Sequence, residues 1–359
     1  MAKILHTADI HLKEASDERW QALKVLLEEA KKEKVDAVTI AGDLFDKDVH
    51  SQQLRDKLRK LFSQSSFKII ILPGNHDVHS YESGEFFGEN VTIINDHQKP
   101  VVIDDVTITG IPFASLTNNQ LSTAIDEAGQ AIDPNLFSIL LIHAELADLF
   151  FSSSDFGDEG DKRYLPIKLS MFNQSPFDYV LAGHFHTKFQ VKKLSNSRMK
   201  DGGYFLYPGS PVSITTKEIG PRSAGIIETG KSPQQIFLQT SFFAQTSIAF
   251  KPDDDQSKLD QIKQTLEELT PQATGLLTIS GFFSQKTLKL SEEELYQKLK
   301  KLAQHYHSQL DESKFSVKDV SNVIDSDLYH LILEQINSEK VTSAEMNDLT
   351  RFLISALST

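Results

Sequence analysis

The sequence predicts an α/β protein: a two-layered β sandwich flanked by helices, then a small α/β domain and C-terminal helices. Three observations carry this. From the first residues, short apolar runs alternate with amphipathic segments, the rhythm of a mainly parallel sheet covered by helices. Past residue 100, β-branched and aromatic runs separated by Gly, Pro and Asn suit antiparallel pieces in a second sheet layer. Near residue 240 this pattern gives way to another, dividing the chain into residues 1–240, 241–325 and 326–359.

Residues 4–6 open the first strand. Residues 17–34 read as a helix with Trp20, Leu23, Val25, Leu26 and Leu27 on or near one face. Residues 37–40 form a second strand, Ser51 caps a helix running to Phe62, and residues 68–72 form a third strand. Residues 138–142 and 178–181 are further buried strands, and residues 101–111 and 189–238 supply the antiparallel pieces. Beyond residue 240, residues 246–250 are extended. Asp253, Asp254 and Asp255 mark a helix start, where acids suit the dipole's positive end. A helix over 256–269, a strand over 275–279, a helix over 291–307 and an extended stretch over 315–320 complete this unit. Helices over 327–337 and 343–357 close the chain, the last with Met346, Leu349, Phe352, Leu353 and Leu357 at helical spacing.

A chain of 359 residues is long for one core. Its 50 acidic and 37 basic residues leave a net charge of −13, which argues against gripping nucleic acid by general basicity. A local basic groove is compatible with that balance. With no cysteine, disulfides, thiolate zinc sites, iron–sulfur clusters and cysteine nucleophiles are excluded. The N-terminal residues lack the apolar stretch of a signal peptide, and no run approaches the ~18 apolar residues of a membrane span. The expectation is a soluble, cytoplasmic protein with no membrane partner.

The chemistry lies at the ends of five apolar strands. They finish in Asp9-Ile10-His11, Gly42-Asp43, Gly74-Asn75-His76-Asp77, His143 and Gly183-His184-Phe185-His186. In open α/β sheets ligands gather at the carboxyl ends of strands, where loops converge. Asp9, His11, Asp43, Asn75, His143, His184 and His186 can therefore surround one pocket. The i, i+2 spacing of Asp9 with His11, and of His184 with His186, aims both members of each pair the same way if the backbone is extended. Two carboxylates, one amide oxygen and four imidazoles suit manganese, iron, zinc or cobalt. Seven donors exceed one ion's needs and fit two, with Asp43, alone on its turn, as the best bridge. Two ions about 3.5–4 Å apart can activate a shared water and clamp both oxygens of an in-line displacement at phosphorus.

His76 directly follows Asn75, so it should point away from the ions and protonate a leaving oxygen or stabilise developing charge. Asp46 is its expected orienter, with Asp77 as second choice. His6, His50, His79, His97, His305, His307 and His330 read as structural or exposed.

The order Asp-x-His, Gly-Asp-x-x-Asp, Gly-Asn-His-Asp, His, Gly-His-x-His resembles that of the calcineurin-like metallophosphoesterases. Within them, Ala41-Gly42-Asp43-Leu44-Phe45-Asp46, Tyr164-Leu165-Pro166, the run from Phe177 to His186, and Tyr207-Pro208-Gly209-Ser210-Pro211 with Lys217-Glu218-Ile219-Gly220 and Gly225-Ile226-Ile227-Glu228 are similar to the SbcD family of DNA repair nucleases, also known as the meiotic recombination eleven nuclease family. The similarity spans residues 1–230; the later α/β unit resembles the family's capping domain only in size and element order. The resemblance implies that Asp9, His11, Asp43 and His186 hold one metal ion. Asp43, Asn75, His143 and His184 would hold the other, both ions being manganese, with His76 as the catalytic histidine. It further implies a homodimer through helices of the nuclease domain, and an SbcC-type, SMC-like ATPase docked on the C-terminal helices. Lys13 departs from the glycine this family often places after the first motif, so the family's loop shape is not carried over there.

The function expected is thus a manganese-dependent DNA exo/endonuclease acting at or near DNA ends, as the nuclease subunit of a DNA repair and recombination complex. Lys188, Lys192 and Lys193, with Arg198 and Lys200, form the clearest basic cluster for DNA. The alternative keeps the metals and takes a nucleotide or other small phosphoester as substrate.

Overall fold

Runs such as Ile69-Ile70-Ile71-Leu72, β-branched and with no polar residue on either face, suit strands covered on both sides. The computed structural model describes residues 1–81, 86–147, 165–173, 175–195, 199, 202–252, 255–338 and 342–357, which fall into two compact units, Met1–Phe243 and Ala244–Thr359. Tyr164, Arg198 and Lys200 lie outside the described residues.

The first unit runs β1 (Lys3–Thr7), α1 (Glu18–Lys32), β2 (Ala37–Ala41), α2 (Asp48–Phe62), β3 (Lys68–Leu72), β4 (Val91–Ile93), β5 (Val101–Ile103), β6 (Val106–Ile111), α3 (Asn118–Ala131), β7 (Phe137–His143), β8 (Glu145–Leu146), β9 (Pro166–Ile167), β10 (Tyr179–Gly183), β11 (Gln190–Leu194), β12 (Gly203–Tyr207), β13 (Ser223–Glu228) and β14 (Gln234–Phe237). One six-stranded sheet has the order β14-β13-β1-β2-β3-β4, the other β11-β12-β10-β7-β6-β5. Strand alternation sorts the core. Ile4, Ile70, Leu72, Ile139 and Leu141 pack between the sheets. Leu5, Ile69 and Ile71 face outward onto Leu23, Leu26 and Leu58 of α1 and α2. Leu140 and Ile142 face outward onto Leu121 and Ile125 of α3. The result is a β sandwich with helices on both outer faces.

Two expectations need correcting. The pieces at 101–111 and 189–238 do not all form an antiparallel second layer: β6 and β12 run parallel to β7 and β10, while β13 joins the first sheet antiparallel to β1 and β14 follows antiparallel to β13. Hairpin partners lie antiparallel, but the strand nearer the centre of the second sheet inherits its parallel direction. Ser51 does not cap α2. The helix begins three residues earlier, and the Ser51 hydroxyl donates back to the Asp48 carbonyl at 2.7 Å. By contrast, Asp17 caps α1 by accepting from Trp20 N at 2.9 Å.

The second unit takes up β15 (Phe242–Phe250), then α4 (Asp255–Glu267), β16 (Ala273–Phe283), α5 (Gln285–Leu288), α6 (Glu292–His305), β17 (Gln309–Leu310), β18 (Ser316–Asp319), α7 (Ser321–Ile324), α8 (Asp327–Ser338) and α9 (Ser343–Leu357). Its sheet packs Phe250, Leu277 and Ile279 against Ile262, Leu266, Leu295 and Leu299. The closing helices make a smaller cluster around Tyr329, Leu353 and Ile354. The apolar stripe of α9 divides: Leu353 is buried, whereas Leu349 and Phe352 are exposed. Among the described residues no helix is long and apolar enough to cross a membrane.

Candidate metal centre

The carboxyl ends of β1, β2, β3, β7 and β10 gather along one side of the sandwich, and the closeness of the two sheets there depends on residue size. A Cβ on Gly183 would stand 2.0 Å from the Ala41 carbonyl oxygen, so only glycine lets β10 approach β2 there. The loops leaving β1 and β2 are zipped together: Ile10 N and His11 N both donate to the Asp43 carbonyl at 2.9 Å, and Leu12 N to that of Leu44 at 2.8 Å.

Side chains converge here because the backbone turns, not because it is extended. Asp9, His11, Asp43 and His184 sit in the left-handed region, with φ of 57°, 52°, 54° and 92°. This corrects the spacing argument, since β1 ends at Thr7 and β10 at Gly183, before their ligands. Asp and His tolerate such angles better than bulkier residues. Several such residues in one place mark a site whose surroundings over-determine a strained conformation.

All seven expected ligands lie around this edge, and only Asn75 is not buried. Asp9 accepts from His184 N at 3.0 Å and lies 3.7 Å from His186 Nε2. Asp43 Oδ1 accepts from His76 N at 3.0 Å. Asp43 Oδ2 stands 3.2 Å from His143 Nε2 and 3.7 Å from His11 Nε2. His143 Nδ1 donates to the Ala41 carbonyl at 2.8 Å, while its Nε2 faces Asn75 Oδ1 at 2.9 Å. The His143 and His184 rings are 5.2 Å apart.

Donor atoms of Asp9, His11 and His186, and of Asp9, Asp43 and His143, lie within 4.8 Å of one another. His11 Nε2 is buried without a hydrogen-bond partner among the described residues, and the buried Asp43 Oδ2 has the imidazole of His143 within hydrogen-bond reach in the ion-pair geometry. A buried polar atom left unpaired is costly unless something binds it. A cation fits both, and Asp43 Oδ2 lies between His11 and His143.

Charge is unevenly held. Burial opposes charge on Asp43, yet His143, His11 and His76 keep its carboxyl well below the usual carboxylate range. Burial opposes charge on His143 as well, but Asp43 and Asp9 push it up to about 10. Burial raises Asp9 to about 6 against the pull of His186 and His143. Burial holds His11 and His184 well below the usual imidazole range. His6, read from sequence as structural, is a neutral core histidine lowered by burial to about 3, bonded to Thr39 and the Ala182 carbonyl.

His76 is half-buried, with a ring nitrogen within 4.8 Å of donor atoms of His11 and Asp43. Its orienter differs from expectation. His76 Nδ1 donates to the Asp46 backbone carbonyl at 2.9 Å, not to the carboxylate. That carboxylate is drawn to Arg19 Nη1 at 2.9 Å and Lys13 Nζ at 3.3 Å. Asp77 is engaged elsewhere, accepting from Gly74 N, Phe45 N and the Tyr81 hydroxyl. The basic cluster is also less coherent than its spacing suggested. Lys192 and Lys193 are consecutive on edge strand β11 and project to opposite faces, and Lys188 is exposed before it.

Sequence reasoning assigned no role to Arg19, Tyr207, Glu218 or Arg222. Arg19 Nη1 also donates to the His11 carbonyl at 2.6 Å. The Tyr207 hydroxyl bonds the Ala144 carbonyl and Leu146 N at 2.6 and 3.0 Å, pinning the turn after His143. Glu218 and Arg222 lie beneath His186.

Residues 2–188 match the calcineurin-like phosphoesterase family. The chain belongs to that family. Two curated relatives are each named as the SbcD component of nuclease SbcCD. The protein from Staphylococcus saprophyticus is 30% identical over 263 residues, 63% of this chain and 65% of that one. That from Staphylococcus epidermidis is 27% identical over 238 residues, 57% and 61%. The chain thus spans less than two thirds of the length of these relatives. Among solved structures, a dimetal phosphatase from Danio rerio aligns with 66% of this chain and 96% of its own, at 9% identity and a TM-score of 0.43.

Proposed function

We propose that the protein is a metal-dependent phosphodiesterase that cuts DNA at or near its ends, with Asp9, His11, Asp43, Asn75, His143, His184 and His186 as ligands of two divalent ions, manganese by the family resemblance. The observation that carries the reading is the buried convergence of Asp43 Oδ2 on His143 Nε2 at 3.2 Å and His11 Nε2 at 3.7 Å, with His11 Nε2 lacking a hydrogen-bond partner among the described residues. Bound by these residues, two divalent cations supply Lewis-acid charge against the phosphoryl group and activate water for attack. His143 presents Nε2 to the site because Nδ1 is committed to the Ala41 carbonyl. The tie from His76 Nδ1 to the Asp46 carbonyl makes Nε2 the atom that exchanges a proton with the leaving oxygen.

The names of the two staphylococcal relatives favour DNA as substrate and an SbcC-type ATPase as partner. Two apolar pairs spaced i, i+3, Leu328 with Leu331 and Leu349 with Phe352, are exposed on α8 and α9 and suit that docking. On this reading residues 1–240 are the nuclease domain, 241–325 the capping domain and 326–359 the docking helices, and the nuclease domain dimerises through its helices.

The test is manganese-dependent degradation of end-labelled linear duplex DNA, with and without the cognate ATPase, beside a generic phosphodiester ester. DNA cleavage lost in His76→Ala supports the reading. Ester hydrolysis with DNA left intact even beside the ATPase refutes it in favour of a small phosphoester.

A further inference from the structure

A buried carboxylate lies beneath His186 and belongs to none of the strand-end motifs. Glu218 is fully buried, and its Oε1 lies 3.3 Å from His186 Nδ1. Its Oε2 accepts from Ser210 Oγ at 2.9 Å and from Ile214 N at 2.8 Å. Thr215 Oγ1 donates to Oε1 at 3.3 Å. Groups able to donate from Ser210, Ile214, Thr215 and His186 thus surround this carboxylate, which suits an anion. Burial opposes its charge, but His186, Ile214 N and Arg222 keep it ionised.

The loop carrying Glu218 is itself fixed. Arg222, also buried, donates from Nε to the Ser210 carbonyl at 3.0 Å, from Nη1 to that of Thr187 at 3.0 Å, and from Nη2 to that of His186. Gly220 N donates to the Phe243 carbonyl at 2.8 Å, and Ser213 N to that of Ser241 at 3.1 Å. A carboxylate on so constrained a loop can set the orientation of a ring that it touches.

We infer that Glu218 is a positioning residue for the metal centre: by accepting from His186 Nδ1–H it keeps that ring's Nε2 deprotonated and aimed at the cation shared with Asp9 and His11. The inference rests on the metal reading proposed above. A histidine ligand needs its other nitrogen protonated and held, and loss of such a partner weakens metal binding by about 10–100-fold.

Glutamine in place of Glu218 gives a sharp test, because it has only one acceptor oxygen. The Ile214 N–H cannot turn away, so that oxygen goes to Ile214 and the amide NH2 faces His186. The ring then accepts at Nδ1 and carries its proton on Nε2, where a cation must bind.

The experiment is a manganese titration by calorimetry on the full chain as wild type, Glu218→Gln, His186→Ala and the double variant, with nitrogen-15 NMR of the His186 ring in the wild type. Two ions in the wild type, one site weakened about 10–100-fold in Glu218→Gln with the other unchanged, and no further loss on adding Glu218→Gln to His186→Ala support the inference. Two equally tight sites in Glu218→Gln overturn it. So does an Nε2-protonated His186 in a wild type that binds two ions, a result that stands even if the variant does not fold. A wild type that takes up no manganese overturns the metal reading, and this inference with it.

Discussion

Gly74 stands where the loop after β3 passes the loop after β2, and replacing it with alanine tests whether the proposed metal centre depends on that approach. A Cβ at Gly74 would lie 2.1 Å from Asp43 Oδ1 and 2.5 Å from Asp43 N, whereas ordinary contact begins near 3.4 Å. Rotating the Asp43 carboxylate cannot relieve both overlaps, because one of them is with backbone. Gly74 cannot easily retreat either, since its own N–H donates to Asp77 Oδ1 at 2.7 Å. Its φ lies outside the left-handed region, so alanine fits the local backbone and the tightest overlaps are with Asp43. Asp43 must therefore move by about 1 Å, several times the ~0.2 Å tolerance of a ligand atom in a metal site.

A displacement of about 1 Å in a reacting constellation costs on the order of 100-fold in rate, equal to ~3 kcal/mol of barrier. Overpacking adds about 1–3 kcal/mol of lost stability. The assays are steady-state hydrolysis of a phosphodiester in excess manganese, calorimetric manganese titration, and thermal unfolding in chelator. Gly74→Ala should lose about 100-fold in rate and bind manganese more weakly at both sites, since Asp43 serves both. Rate and affinity within twofold of wild type, in a folded variant, would refute the assignment of Asp43 as the bridge.

Three further outcomes follow from the same geometry. Asp46→Asn keeps the backbone carbonyl that holds His76, so its rate should fall less than ~10-fold, whereas His76→Ala should lose about 10²–10⁴-fold with manganese affinity unchanged; equal losses in steady-state assays would return the orienting role to the Asp46 carboxylate. His143, pushed up to about 10, must give up a proton when a cation binds, so apparent manganese affinity should rise with pH, about tenfold per unit for one displaced proton at pH values below 10, and fall further below about 6 as Asp9 protonates; calorimetry in buffers of different ionisation enthalpy should show proton release, and none would contradict it. In the second unit, Leu353→Ala should cost about 2–5 kcal/mol, while Phe352→Ala, at 74% exposure, should stay within about 0.5 kcal/mol in denaturant titrations.

The strands that carry the site were legible because each is an apolar run ending abruptly in polar ligands, and that contrast survives in one dimension. Residues 68–72 read as β3 residue for residue, since burial on both faces leaves no other use for four consecutive aliphatics. The start of α2 was not legible. Asp48 opens the helix, Ser51 bonds back to its carbonyl, and Asp48 Oδ1 accepts from His79 N, a contact no local pattern reveals. The extended geometry inferred from Asp9-x-His11 failed for a similar reason: residue spacing carries no dihedral angle, and four of the proposed ligands occupy the left-handed region.

The residues that hold the ligands were harder to find than the ligands themselves. Ligand types are rare enough on apolar strands to stand out, whereas Glu218 and Arg222 lie in a loop among other polar residues. Their burial arises only when residues 210–222 fold back beneath His186. One signal was available: Ser210, Glu218 and Arg222 lie between two strands in a stretch with Gly209, Pro211, Gly220 and Pro221, so its path is restricted at several points. That the carboxylate and the guanidinium of this loop both contact His186 is visible only in the fold. Candidate cation donors can thus be proposed from their chemistry, while the residues that contact those donors are found only through position and need the structure.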